Sequence, residues 1–351
     1  MRALAARGRL AALGLAACLW LLVACGPGTG TGVVGTGPGA ADAGAPAAAG
    51  VATPRPQYVD LVDAVADRGS RVWVEADLVK AWLAGPQRFS RALDVVVALA
   101  LRPGVDGVKV ADELGYGDGL TSPAKARAFL QAAGDAIHGR LPHTKVLVDM
   151  IVPELGCNAW VRRDPGRDAC AAAADRRDPA ATLAAVGTYL PLHAIDVLDL
   201  SVGLRDEQEY ASWGTTRDDA MREAWSEVVR RGWGGMVTLQ ARKALAHPGA
   251  YAGGAAGAQR DLRTYVDIPL AAGAAGVDIW TWSQTYQGQT VRLTDPGLRP
   301  NALVAGLRAR RQAGARLWTH MSPSSLQRDQ SSDVAAATAI FGAVFVAAGT
   351  G

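Results

Sequence analysis

Residues 107–119 read GVKVADELGYGDG: a short alternating stretch, an acidic pair, then a loop with three glycines in five residues. Val108 and Val110 flank Lys109 with the period-two alternation of a strand, and Gly115, Gly117 and Gly119 mark the loop that ends it. A strand finishing in Asp112 and Glu113, with a helix after the loop, delivers a carboxylate to one end of a sheet, where the glycines leave room for a substrate. Glu113 is therefore the leading catalytic candidate. The alternative is a surface carboxylate or a structural ion-pair partner.

Working outward, the same unit recurs. Strand-like runs at 72–76, 108–111, 145–152, 196–202, 236–240 and 277–282 alternate with helical spacing over 88–101, 123–140, 179–190, 216–231, 259–272 and 301–319. Ser122 before Pro123, and Thr215 or Thr216 before Asp218 and Asp219, are helix-start signals. Strand–helix alternation argues for a parallel sheet, and residues 58–325 have about the length of one (β/α)8 barrel of roughly 250 residues. Six clear strands fall short of eight. A closed barrel recruits the others from 93–100, from 290–293 or from the tail, whereas an open doubly wound sheet needs no more than six. Neither a dinucleotide loop after the first strand nor a P-loop occurs, which favours the barrel, and no cofactor is expected.

The strand ends line up Glu75, Glu113, Asp149 with Glu154, Ser201 with Arg205, Gln240 with Arg242, and Trp282 with Gln284. Cleaving a glycosidic bond takes two carboxyl groups, one to protonate the leaving oxygen and one ionised as nucleophile or base. Glu113 with Glu75 or Asp149 fits that need. The alternative for Glu75 and Asp149 is burial beneath the mouth, paired with Arg205, Arg242 or Lys109. Residues 276–289, GVDIWTWSQTYQGQ, carry Trp280, Trp282 and Tyr286 towards the rim, and alternation sets Trp280 and Trp282 on one side. Indole faces stack on sugar faces, so Trp282, Tyr286, Gln284, Tyr116 and Gln240 are the expected substrate contacts; the alternative is that Trp280 and Trp282 fill the space between barrel and helices.

Over residues 58–325 this ensemble resembles the (β/α)8 glycoside hydrolases, with an acid on an early strand end and an aromatic strand last. The resemblance implies a carbohydrate substrate, Glu113 as proton donor, and Glu75 or Asp149 as its partner. Two different readings stand beside it: a non-catalytic carbohydrate-binding protein, and a structural envelope protein whose grooves are incidental. The five histidines, His138, His143, His193, His247 and His320, fall in helix ends or loops and form neither HxH nor HExxH, so no metal is expected. No GxSxG elbow occurs.

The N-terminus points to a compartment. Arg2, Arg7 and Arg9 precede an uncharged run over 10–24, and Leu22-Val23-Ala24-Cys25 resembles the lipobox of bacterial lipoproteins. Residues 1–24 are thus expected to be a leader, with Cys25 lipidated on the outer face of the cytoplasmic membrane. Residues 25–57, rich in Gly, Ala, Pro and Thr, read as a disordered tether. Removing the leader removes three arginines, so 36 basic side chains fall to 33 and balance the 33 acidic ones. With no basic patch, nucleic acid is not an expected partner. Cys157 and Cys170 remain, and two thiols in an oxidising compartment pair. Residues 326–351 read as a polar linker and a short apolar tail.

Overall fold

The barrel strands alternate apolar residues that must leave water on one face with residues on the other face that must be accommodated inside, and a closed sheet satisfies both. The computed structural model describes residues 52–286 and 288–350, with side chains for all but Tyr286. The leader, Cys25 and the tether up to residue 51 lie outside the described residues, as does the side chain of Tyr286. In chain order the strands are β1 (Arg71–Glu75), β2 (Val105–Ala111), β3 (Lys145–Ile151), β4 (Val197–Ser201), β5 (Thr238–Ala244), β6 (His247–Pro248), β7 (Gly276–Tyr286), β8 (Gln289–Arg292), β9 (Leu317–Met321) and β10 (Ala343–Ala347). Eight of them, β1, β2, β3, β4, β5, β7, β9 and β10, pair in parallel in that order, and β10 returns to β1. The closed (β/α)8 barrel therefore holds, and the open sheet does not.

The two strands missing from the sequence reading come from the C-terminal third. Residues 317–319, expected as the end of a helix, belong to β9, because the helix Ala302–Gln312 stops at a turn through Gly314 at φ 95°. The region 326–351, expected as linker and tail, holds the helix Gln330–Thr338 and β10, which lies between β1 and β9. The barrel domain thus runs from the helix Pro56–Ala66 through Ala347, not from 58 to 325. Residues 93–100 belong to the helix Pro86–Ala100, and Gln289–Arg292 makes an antiparallel hairpin with the end of β7, outside the barrel.

Outward-facing residues such as Val72, Val74, Val108, Val146, Leu198, Val277 and Val344 are fully buried against the helical layer. Ser122 and Thr216 cap the helices that pack there, accepting from the backbone N–H of Lys125 and Asp219. Inside, the lower half is plugged by Trp73, Leu147, Val197, Trp318 and Phe345. Trp73 lies 5.3 Å from Trp318 and 6.2 Å from Phe345, ring centre to ring centre. Gly107 opens that space, since a Cβ there would meet the Trp73 ring at 2.3 Å. One layer above this floor, seven of the eight barrel strands turn ionisable side chains inward.

Cys157 and Cys170 form a disulfide with Cα atoms 5.7 Å apart, tying the end of the helix Pro153–Cys157 to the helix Pro165–Arg177. Closing so short a loop restricts the unfolded chain, so the Cys157→Ser, Cys170→Ser pair of substitutions should cost about 2–3 kcal/mol. Urea midpoints of the two forms check it; equal midpoints would show the bridge to be neutral.

Candidate active site

The charged layer sits at the carboxyl ends of the strands, where a parallel barrel presents its loops. Inward positions place Glu75 on β1, Lys109 on β2, Asp149 on β3, Asp199 on β4, Gln240 and Arg242 on β5, Asp278 on β7 and His320 on β9. Lys109 is wholly buried, and its Nζ reaches Glu75 Oε1 at 2.7 Å, Asp112 Oδ1 at 2.9 Å and Asp149 Oδ2 at 3.1 Å. Arg242 completes the arrangement, with Nη1 3.0 Å from Asp149 Oδ1 and 3.1 Å from Glu113 Oε1. His320 bridges Glu75 Oε2 at 2.9 Å and Asp278 Oδ2 at 2.6 Å. Phe345 forms the floor: the His320 ring stacks on it at 4.6 Å, and Lys109 Nζ lies 5.7 Å from its centre.

Six carboxyl groups thus meet three cations, and the imbalance is resolved by protons. Burial raises Asp199 well above the usual carboxylate range, and its neighbours Asp278 and Asp149 raise it further. Burial also lifts Asp149 to about 8 despite Arg242 and Lys109, because the adjoining Asp112 competes for the same cations. Asp112, Glu75 and Asp278 go the other way. Burial opposes their charge, but Lys109 and Arg242 outweigh it at Asp112, His320 and Lys109 at Glu75, which falls to about 2, and His320 at Asp278. His320, penalised by burial, is lifted to about 9 by Asp278 and Glu75.

Three of these carboxyl groups reach solvent: the side chain of Asp112 is 52 % exposed, Glu113 35 % and Glu75 22 %. Glu113 holds its carboxylate there at φ 55°, a left-handed conformation that costs a residue with a side chain about 1 kcal/mol or more. The loop behind it is braced, with Leu114 N–H bonded to Asp149 O at 2.8 Å and Asp118 accepting from Gly115 and Leu120 N–H. Gly115 does not leave room for a ligand as expected: φ is 75°, and a Cβ would strike Ala180 at 2.8 Å.

Glu75, at the end of β1, and Glu113, in the loop after β2, are both brought to the carboxyl end of the barrel. Asp149 joins them in space only, because it is fully buried between Lys109 and Arg242 and presents no surface to a substrate. That is the ion-paired arrangement weighed against a catalytic role. Arg205, another partner considered, instead lies against the disulfide, with Nη2 3.2 Å from Cys170 Sγ.

The aromatic assignments change more. Trp282 is 1 % exposed, its indole N–H donates to Asp333 and its ring meets Phe341 edge-on, so it belongs to the layer between barrel and helices and cannot stack on a sugar. The register of β7 against β9 is interrupted between Ile279 and Ser283, which breaks the two-residue count that put Trp280 and Trp282 on one side. Trp280, two residues beyond inward-facing Asp278, is half-buried and donates to Gln284 Oε1 at 2.9 Å. Gln240 is buried, and its amide nitrogen makes no hydrogen bond among the described residues. Tyr116 lies on the loop after β2, 5.5 Å beneath the Arg177 guanidinium. Glu154 accepts from Leu183 N–H, away from Lys109 and Arg242. The sequence reading missed Asp199, Asp278 and His320, the last because it was assigned to a helix end. The available signal was an ionisable residue within a largely apolar run: VLDLS, GVDIW and LWTHM.

No family model matches the chain, and no curated protein is similar to it. Solved structures align with it at low identity. Pyruvate carboxylase from Rhizobium etli is 12% identical with a TM-score of 0.39, covering 83% of this chain, which spans 24% of that one. A 2,3-dimethylmalate lyase of the PEP mutase/isocitrate lyase superfamily is 14% identical, covers 83% and 79% of the two chains and has a TM-score of 0.39. A β-glycosidase is 12% identical, covers 83% and 75%, and has a TM-score of 0.33. None of these carries a residue role or an activity over to this chain.

Proposed function

We propose that the protein is a glycoside hydrolase-like barrel, with Glu113 as proton donor and Glu75 as the ionised partner. The observation that carries this reading is that two solvent-reaching carboxyl groups stand at the carboxyl end of the barrel, Glu113 held by Arg242 and Glu75 by Lys109 and His320. Trp280 replaces Trp282 as the aromatic platform, with Gln284 holding its indole. Lipidation at Cys25 and residence on the outer face of the cytoplasmic membrane remain part of the proposal, supported by the leader and Leu22-Val23-Ala24-Cys25.

The test is release of reducing ends from a panel of polysaccharides and aryl glycosides. Glu113→Gln should lower turnover about a hundredfold or more while keeping the melting temperature and ligand binding. Turnover equal to that of the unsubstituted protein would overturn the assignment. One observation favours a non-catalytic carbohydrate-binding protein: both oxygens of Glu75 already hold partners. Calorimetric binding of an oligosaccharide with no product release would decide for it.

A further inference from the structure

Glu75 is held from behind by a chain that runs into the barrel. His320 Nδ1 lies 2.9 Å from Glu75 Oε2, and Nε2 lies 2.6 Å from Asp278 Oδ2. A neutral imidazole has one N–H and can donate to one of these carboxylates only; two such contacts call for a ring protonated on both nitrogens. The ring is buried and stacked on Phe345, so it has little freedom to trade one partner for the other.

We propose that His320 is the positioning residue of the site: an imidazolium clamped between Asp278 and Glu75 that sets the rotamer and the negative charge of Glu75. The proposal rests on the reading of Glu75 as the ionised partner in hydrolysis. Every strand facing the pair contributes to the balance. Lys109 on β2 holds the other Glu75 oxygen at 2.7 Å, and Asp112 lies beside Lys109. On the far side Asp199, from β4, adjoins Asp278 and retains its proton, which leaves the charge of Asp278 for His320. Asp149 and Arg242 complete the layer and pair with each other. Lys109 supplies charge to Glu75 from one direction; His320 adds both a second charge and the orientation.

Two spectra test this without a substrate. In the intact protein at pH 7, nitrogen-15 NMR of the His320 ring should show both nitrogens protonated; a ring with one N–H overturns the proposal even if no variant folds. In His320→Gln, the carbon-13 signal of the Glu75 carboxyl should titrate about one to three pH units higher than in the unsubstituted protein. An unmoved titration overturns it. With hydrolysis measurable, the acid limb of kcat/KM should move up by the same amount in His320→Gln with KM little changed, and an unmoved limb counts against the clamp. Glu75→Gln separates the two ideas: unaffected turnover there removes the hydrolase reading and leaves the two spectra to judge the positioning role.

Discussion

Lys109→Met should destabilise the barrel by about 3–5 kcal/mol, the loss expected when one member of a buried ion cluster is removed and its partners stay behind. The ammonium is wholly buried and serves three carboxyl groups on two strands and a loop, Glu75, Asp149 and Asp112. Methionine fills the space over Phe345 but returns no charge. Arg242 then faces Asp149, Asp112 and Glu113 alone, and Glu75 keeps only His320. The strained carboxyls can take up protons, so the loss should shrink below about pH 5, as Glu75 approaches the ordinary carboxylate range. Urea unfolding at pH 7 and pH 4.5 measures both. Adding Asp149→Asn to Lys109→Met should recover part of the loss, since the two sites are in contact. A single variant within about 0.5 kcal/mol of the unsubstituted protein would show that Lys109 does not organise the layer.

The fold was legible because the barrel's outer face obeys simple rules. Apolar residues recur at every second position in six strands, and Ser122 and Thr216 cap two of the helices that follow. The two remaining strands were hidden for different reasons. LWTHM follows a helix after only a short turn through Gly314, so its period merged with the helix before it; AVFVA sits in an apolar tail that carries no polar alternation. At the site, the strand-end carboxylates Glu75 and Glu113 were readable from position, whereas Trp282 was misread. Sequence spacing assumes that alternation continues, and the interrupted register within β7 turns Trp282 outward to Asp333. The interior charges were visible yet unused. A lone Asp, Lys or His within an apolar strand is costly unless other strands of the barrel supply its partner; Lys109 and Glu75 are 34 residues apart in the chain, and His320 and Glu75 are 245 apart. Spacing within a motif cannot find pairs at such separation; closure of the barrel brings them together.

That closure also makes stability depend on pH in a direction the interior charges set. His320 binds its proton more tightly folded, at about 9, than at the free value of 6.5. Its contribution is therefore complete below about pH 6.5 and is lost as pH rises through about 9, a change of about 3 kcal/mol at 1.4 kcal/mol per pH unit. Asp149, lifted from 3.8 to about 8, favours folding in its protonated form; its contribution is complete below about pH 3.8 and is lost as pH rises to about 8, so it starts the decline at lower pH than His320 does. Glu75 acts at the other end: its contribution is present above 4.5 and is lost as pH falls towards about 2. The urea midpoint should accordingly be highest near about pH 4–5 and fall from there, with the His320 share of the fall between about pH 6.5 and 9. His320→Gln should flatten that fall while lowering the midpoint at pH 6. A midpoint that stays level from pH 6.5 to 9.5 in the unsubstituted protein would mean that the clamp on Glu75 is not charged, and the argument for His320 as its positioning residue would fail with it.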